Sequence, residues 1–115
     1  MRRGQIWTVA AGSGYAGKPR PVLIVQDDTF DATSSVTVCA FTTVLVDAPL
    51  LRIPVEPSPT NGLRQTSHLM VDKVTTVAKS KFGVQIGDLD PERMVRLNQA
   101  LLVFLGLAAR TADRA

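Results

Sequence analysis

The sequence predicts a small, mainly β fold: a barrel-like sheet plugged or flanked by one C-terminal helix. Three observations lead there. Short apolar and β-branched stretches recur at close spacing between Gln5 and Asp88, punctuated by Gly, Pro, Asn and Asp. Beyond Asp90 the apolar period changes from about two residues to about 3.6. A chain of 115 residues, 45% hydrophobic and 20% charged, fits one domain over residues 1–115, large enough for one core and too small for two.

The first strand is expected over residues 5–10, with Ile6 or Trp7 turned inward; Trp7 reads as core or subunit interface rather than a base platform. A small-residue loop follows, with glycines at 12, 14 and 17, and it ends at Pro19-Arg20-Pro21. The prolines fix φ on both sides of Arg20, so its guanidinium projects from a rigid edge, a good place for a phosphate contact. A second, largely buried strand spans residues 21–26, and the polar stretch 27–35 has room for one helical turn. Residues 36–43 make a β-branched third strand in which Cys39 reads as a small buried hydrophobe. Ala48-Pro49 separates it from residues 51–55, whose internal Pro54 marks a sheet edge. After a turn-rich loop at 57–62, two further strands are expected at about 67–72 and 73–78, then a turn at 79–82 and a last strand at 84–88. Asp90 caps a helix beginning at Pro91, with Glu92 where the helix dipole favours an acid. Its apolar face is Met94, Leu97, Leu101, Phe104 and Leu105, with Val95 and Leu102 alongside, and the residues from about Thr111 onward are expected to fray.

The longest mostly apolar run, residues 100–109, is too short to span a bilayer, and the basic start lacks the apolar stretch of a signal peptide. One cysteine rules out an internal disulfide and suits a reducing cytoplasm; one His and one Cys cannot build a zinc site, so no metal or other cofactor is expected. Net charge is +3, but residues 1–26 hold Arg2, Arg3, Lys18 and Arg20 and no acid. A second basic window holds Arg64, Lys73, Lys79 and Lys81 against Asp72. This asymmetry suits a polyanion or an acidic peptide, and equally an ordinary solvated surface.

Arg3-Gly4-Gln5-Ile6-Trp7, the Gly-rich loop into Arg20-Pro21-Val22-Leu23-Ile24-Val25, Ala40-Phe41-Thr42-Thr43, residues 71–77 and the helix from Asp90 together resemble the MazF/PemK family of toxin endoribonucleases. The similarity runs in order from about Arg3 to Leu107. It implies an SH3-like small barrel of the MazF/PemK/CcdB type, a homodimer, and metal-independent cleavage of single-stranded RNA. It also implies a cognate antitoxin whose acidic C-terminal segment occupies the RNA groove. The family's catalytic arginine and threonine correspond to Arg20 and Thr42, and an aspartate used in some members corresponds to Asp72. RNA contacts then fall on Ser13, Tyr15, Gly17, Lys18, Thr43, Lys73 and Lys79. The chain departs from the family pattern at Ser13-Gly14-Tyr15, where many relatives carry Glu-Gln, and at Met70, an arginine in some members.

The chemistry suits those residues. Cutting RNA without a metal uses the 2′-hydroxyl as nucleophile and leaves a 2′,3′-cyclic phosphate and a 5′-hydroxyl. A guanidinium fork matches the negative phosphate oxygens, and a stiff threonine hydroxyl can bond the same phosphate. No side chain is an obvious general base: His68, the one imidazole, stands alone in Thr66-Ser67-His68-Leu69-Met70 and reads as structural, and Asp72 could equally pair with Lys73 or Lys79. Two other function classes compete, a gyrase poison of the CcdB type and a catalytically silent RNA- or protein-binding module. No aromatic follows Phe104, which weighs against the gyrase poison.

Overall fold

Alternation of apolar and polar residues makes the strands β1 (Gln5–Val9), β2 (Arg20–Ile24), β3 (Ser35–Thr42), β4 (Arg52–Val55), β5 (Ser67–Ala78) and β6 (Phe82–Asp88), and a 3.6-residue period makes α1 (Pro91–Phe104). The computed structural model describes residues 1–10 and 18–108. The six strands form one antiparallel sheet in the order β4-β5-β3-β2-β1-β6. The mainly β fold with a helix after the last strand is the expected one, but the barrel is left open, with β4 and β6 as its edges. At the β4 edge, Pro54 has no N–H with which to recruit another strand, as its place in the sequence suggested.

The sheet carries an apolar layer on each of its faces. Ile6, Leu23, Cys39, Phe41, Ile53, Val55, Leu69 and Val71 face one way, and Leu97 of α1 is buried against them with Met94, Ala100 and Leu101 alongside. Val9, Val22, Ile24, Val36 and Val38 face the other way, with Trp7, Ala40 and Phe82 packed on them. Ile6 and Trp7 thus serve opposite layers. Each fully buried Leu, Ile or Val contributes about 1.5–3 kcal/mol, so two layers on one sheet supply most of the stability.

The stretch expected to form two strands is one, β5, twelve residues long. Its pairing with β3 jumps from Cys39–Val74 to Phe41–Leu69, so the residues from Met70 to Lys73 bend past Ala40 instead of ending a strand. The bend stays bonded because Val71 N–H donates to the Leu51 carbonyl at 2.9 Å. Helical turns occur at Asp28–Phe30, capped by Asp27, and at Lys79–Lys81, both within stretches expected to turn. Asp90 caps α1 by accepting from Arg93 N–H at 3.1 Å. The apolar face of the helix is only partly covered: Phe104 and Leu105 point outward with Val95, Leu102 and Val103. No helix among the described residues is long and apolar enough to cross a membrane. The expected fraying from Thr111 lies outside the described residues.

Candidate active site

The candidate site follows from strand register. β2 and β3 pair at Val22–Ala40, Leu23–Cys39 and Ile24–Val38, and Arg20 and Thr42 each lie two residues beyond Val22–Ala40, at the same end of the two strands. Thr42 in turn pairs with His68 of β5, His68 with Pro54 of β4, and Arg20 with Val9 of β1. Pro54, His68 and Thr42 therefore make one lateral row, and the paired Arg20 and Val9 lie at the same end of the next two strands. Side chains directly opposite on antiparallel strands have Cβ atoms about 5 Å apart, so the Thr42 hydroxyl and the His68 imidazole stand side by side, with the Arg20 guanidinium on the neighbouring strand.

Arg20 is exposed and, among the described residues, makes no ion pair. That separates it from the other cations near the start of the chain. Arg2 pairs with Asp28 at 3.2 Å, and Arg3 donates to the Val25 carbonyl at 2.8 Å and to Asn98 Oδ1 at 2.5 Å. Much of the acid-free charge of residues 1–26 is thus spent on the fold, and the exposed remainder is Lys18 and Arg20. Thr42 Oγ1 accepts from Val44 N–H at 3.1 Å, which fixes the side chain, while its own O–H donates to no acceptor among the described residues.

Asp72 sits one bend away on β5, and its cation is Arg52 of β4 rather than Lys73 or Lys79; the two side chains are directly hydrogen-bonded. Desolvation alone would raise the Asp72 carboxyl, but the hydrogen bond and charge of Arg52, with Lys73 nearby, hold it below the usual carboxylate range. Thr43 and Lys73 are exposed close to the row. Lys79 is not: it lies at the far end of β5, beyond the Ser35–Ala78 pair, and its ammonium is held by the carbonyl and carboxylate of Asp31. Ser13, Tyr15 and Gly17 lie outside the described residues.

Beneath the row, the Cys39 thiol donates to the Met70 carbonyl, sulfur to oxygen 3.2 Å. Burial, reinforced by the charge of Asp72, pushes that thiol up to about 12, so it stays protonated and inert. Two members of the neighbourhood were not legible as site residues. Arg52 is 20 positions from its carboxylate, with no local pattern linking them. His68 was visible only as a lone imidazole; cross-strand pairing, which no local spacing reveals, brings it beside Thr42.

Residues 2–105 match the family described as PemK-like, MazF-like toxin of type II toxin–antitoxin system. The chain is 61% identical over 108 residues to a probable endoribonuclease MazF of Mycolicibacterium smegmatis, covering 94% of this chain and 99% of that protein. It is 27% identical over 112 residues to endoribonuclease EndoA of Bacillus subtilis, covering 93% and 96%. Among solved structures it is similar to an endoribonuclease in complex with its cognate antitoxin from mycobacterial species, with a TM-score of 0.79, 28% identity, and coverage of 96% and 99%.

Proposed function

The chain belongs to the PemK-like, MazF-like toxins of type II toxin–antitoxin systems and is an endoribonuclease toxin; from that premise we propose that Arg20 and Thr42 cut single-stranded RNA by activating its own 2′-hydroxyl. What supports this assignment is that an exposed guanidinium and a hydroxyl whose proton has no acceptor among the described residues lie at the same end of two paired strands, each two residues beyond Val22–Ala40. In the reaction the 2′-oxygen attacks phosphorus, the bond to the 5′-oxygen breaks, and a 2′,3′-cyclic phosphate and a 5′-hydroxyl result. Charge builds on the non-bridging oxygens, where the Arg20 fork and the Thr42 O–H stabilise it, so no metal ion is needed. Lys18, Thr43 and Lys73 line the path of the strand, and Ser13, Tyr15 and Gly17, which precede Lys18 in the sequence, are further proposed RNA contacts. Asp72, ionised and bonded to Arg52, acts as a positioning residue rather than a proton acceptor. Arg52 stands opposite Met70, the position where some family members carry an arginine, and supplies the guanidinium from the neighbouring strand.

The antitoxin reading follows from the same charges. An acidic segment would meet Lys18 and Arg20 as a phosphate backbone does, so antitoxin and RNA compete for one groove. The homodimer is supported by an apolar groove of about 480 Å³ between Ala48, Pro49, Leu50, Leu51, Val103 and Phe104. It continues onto exposed Leu105 and Leu107, an area that a second copy of the chain would cover.

The test is cleavage of single-stranded RNA in EDTA by the wild type and by Arg20→Ala. Retained cutting by the wild type, and loss by about a thousandfold in a folded Arg20→Ala, is the expected result. An Arg20→Ala protein that cuts at the wild-type rate would remove Arg20 from the mechanism.

A further inference from the structure

His68 is the side chain in the row that the mechanism so far leaves unused. Its Nδ1 is buried and, among the described residues, has no hydrogen-bond partner. A purely structural histidine is held by a bond at its buried nitrogen, and an unpaired buried polar atom calls for an explanation. In the neutral ring a proton on Nδ1 would be a buried donor without an acceptor, so the favoured tautomer carries it on Nε2. Nε2 is not among the buried unpaired atoms and makes no hydrogen bond with the described residues. The usable donor of this ring is therefore unspent among the described residues.

Its neighbours give that donor a target. His68 stands between Pro54 on β4 and Thr42 on β3, and Arg20 lies at the same end of β2, the strand on the other side of β3. With strands about 4.8 Å apart, a phosphate seated over Thr42 has the guanidinium on one side and the imidazole on the other. The charged groups nearest on β4 and β5, Arg52 and Asp72, are committed to each other. We infer that His68 is a substrate-contacting residue of this nuclease, donating from Nε2 to a backbone oxygen of the RNA at the phosphate held by Arg20 and Thr42. This rests on the endoribonuclease reading, and it specifies which further side chain completes the grip.

Amide variants separate this role from a structural one, because the Gln side-chain nitrogen overlays Nε2 of histidine and that of Asn overlays Nδ1. On a single-stranded RNA oligonucleotide, His68→Leu should lose about 10- to 100-fold in kcat/KM, the loss of one hydrogen bond to a charged group. His68→Gln should recover most of that loss and His68→Asn should not. The melting temperature of His68→Leu should equal or exceed that of the wild type, since an unpaired buried nitrogen has been removed. Wild-type activity in His68→Leu would overturn the inference, as would a His68→Gln protein as impaired as His68→Leu. If His68→Leu does not fold, the contrast between Gln and Asn decides alone. Arg20→Ala, measured in parallel, separates failure of this contact from failure of the nuclease reading.

Discussion

Replacing Thr42 with valine removes one oxygen and little else, because both residues are β-branched and share χ1 preferences. Two bonds go with that oxygen. One is structural: Val44 N–H loses its acceptor at 3.1 Å, but this pair is exposed, so water replaces it and the cost stays below about 1 kcal/mol. For a domain of this size that is a fall of about 4 °C or less in Tm. The other is the O–H aimed at the phosphate. A donor that strengthens its bond as charge builds in the transition state contributes about 3–4 kcal/mol, so kcat should fall by a factor of about a hundred to a thousand. Steady-state cleavage of a fluorogenic RNA oligonucleotide, read beside a thermal melt, measures both. Thr42→Ser, which keeps the hydroxyl, should stay much closer to wild type than Thr42→Val. A Thr42→Val protein that cuts as fast as wild type would refute the reasoning. So would one whose lost activity is matched by a collapse in Tm.

Three further outcomes follow from the packing and the charges. The Asp72 carboxyl is held below its unfolded value of about 3.9, so its bond to Arg52 stabilises the fold above that pH and is lost as pH falls through the folded value. Thermal melts from neutral to acid pH should therefore show a smaller acid-induced fall in Asp72→Asn than in the wild type. The Cys39 thiol, pushed up to about 12 and buried, should resist iodoacetamide at mildly alkaline pH in the folded protein and react at once in denaturant, as followed by mass spectrometry. A Cβ added at Gly87 would lie 2.4 Å from the Thr60 carbonyl oxygen and the Asn61 carbonyl carbon. Gly87→Ala should then destabilise the fold by about 1–3 kcal/mol, seen in chemical denaturation, with cleavage kinetics unchanged in the folded fraction.

The sequence revealed the elements more readily than their arrangement. Strands in residues 5–10, 21–26, 36–43 and 51–55 were legible because β-branched alternation, Pro54 and the turn at Ala48-Pro49 act locally, as does the Asp90-Pro91 start of the helix. Residues 67–78 were legible as strand but not as one strand: Asp72-Lys73 looks like a break, whereas the chain bends there and Arg52 satisfies the acid from across the sheet. The helix showed the same limit. Its apolar stripe was visible, yet only Leu97 is fully buried, and nothing local distinguishes the part that meets the sheet from the part that faces outward. For the candidate site, Arg20 was singled out by its flanking prolines and Thr42 by family resemblance, while their adjacency and that of His68 are properties of register, set by every pair along β2, β3 and β5. Lys79 shows the opposite case, a surface cation that the fold ties to Asp31, 48 residues earlier.

The most direct measurement is the chemistry of the cut ends. RNA cleaved by the purified protein in EDTA should carry a 2′,3′-cyclic phosphate on the upstream fragment and a 5′-hydroxyl on the downstream one, identified by mass spectrometry of a short oligonucleotide. Replacing the 2′-hydroxyl at the cut position with hydrogen should abolish cleavage there. Fragments bearing 5′-phosphates, or a deoxy-substituted site cut as readily as its ribose counterpart, would contradict an attack by the substrate's own hydroxyl on a phosphate held between Arg20 and Thr42.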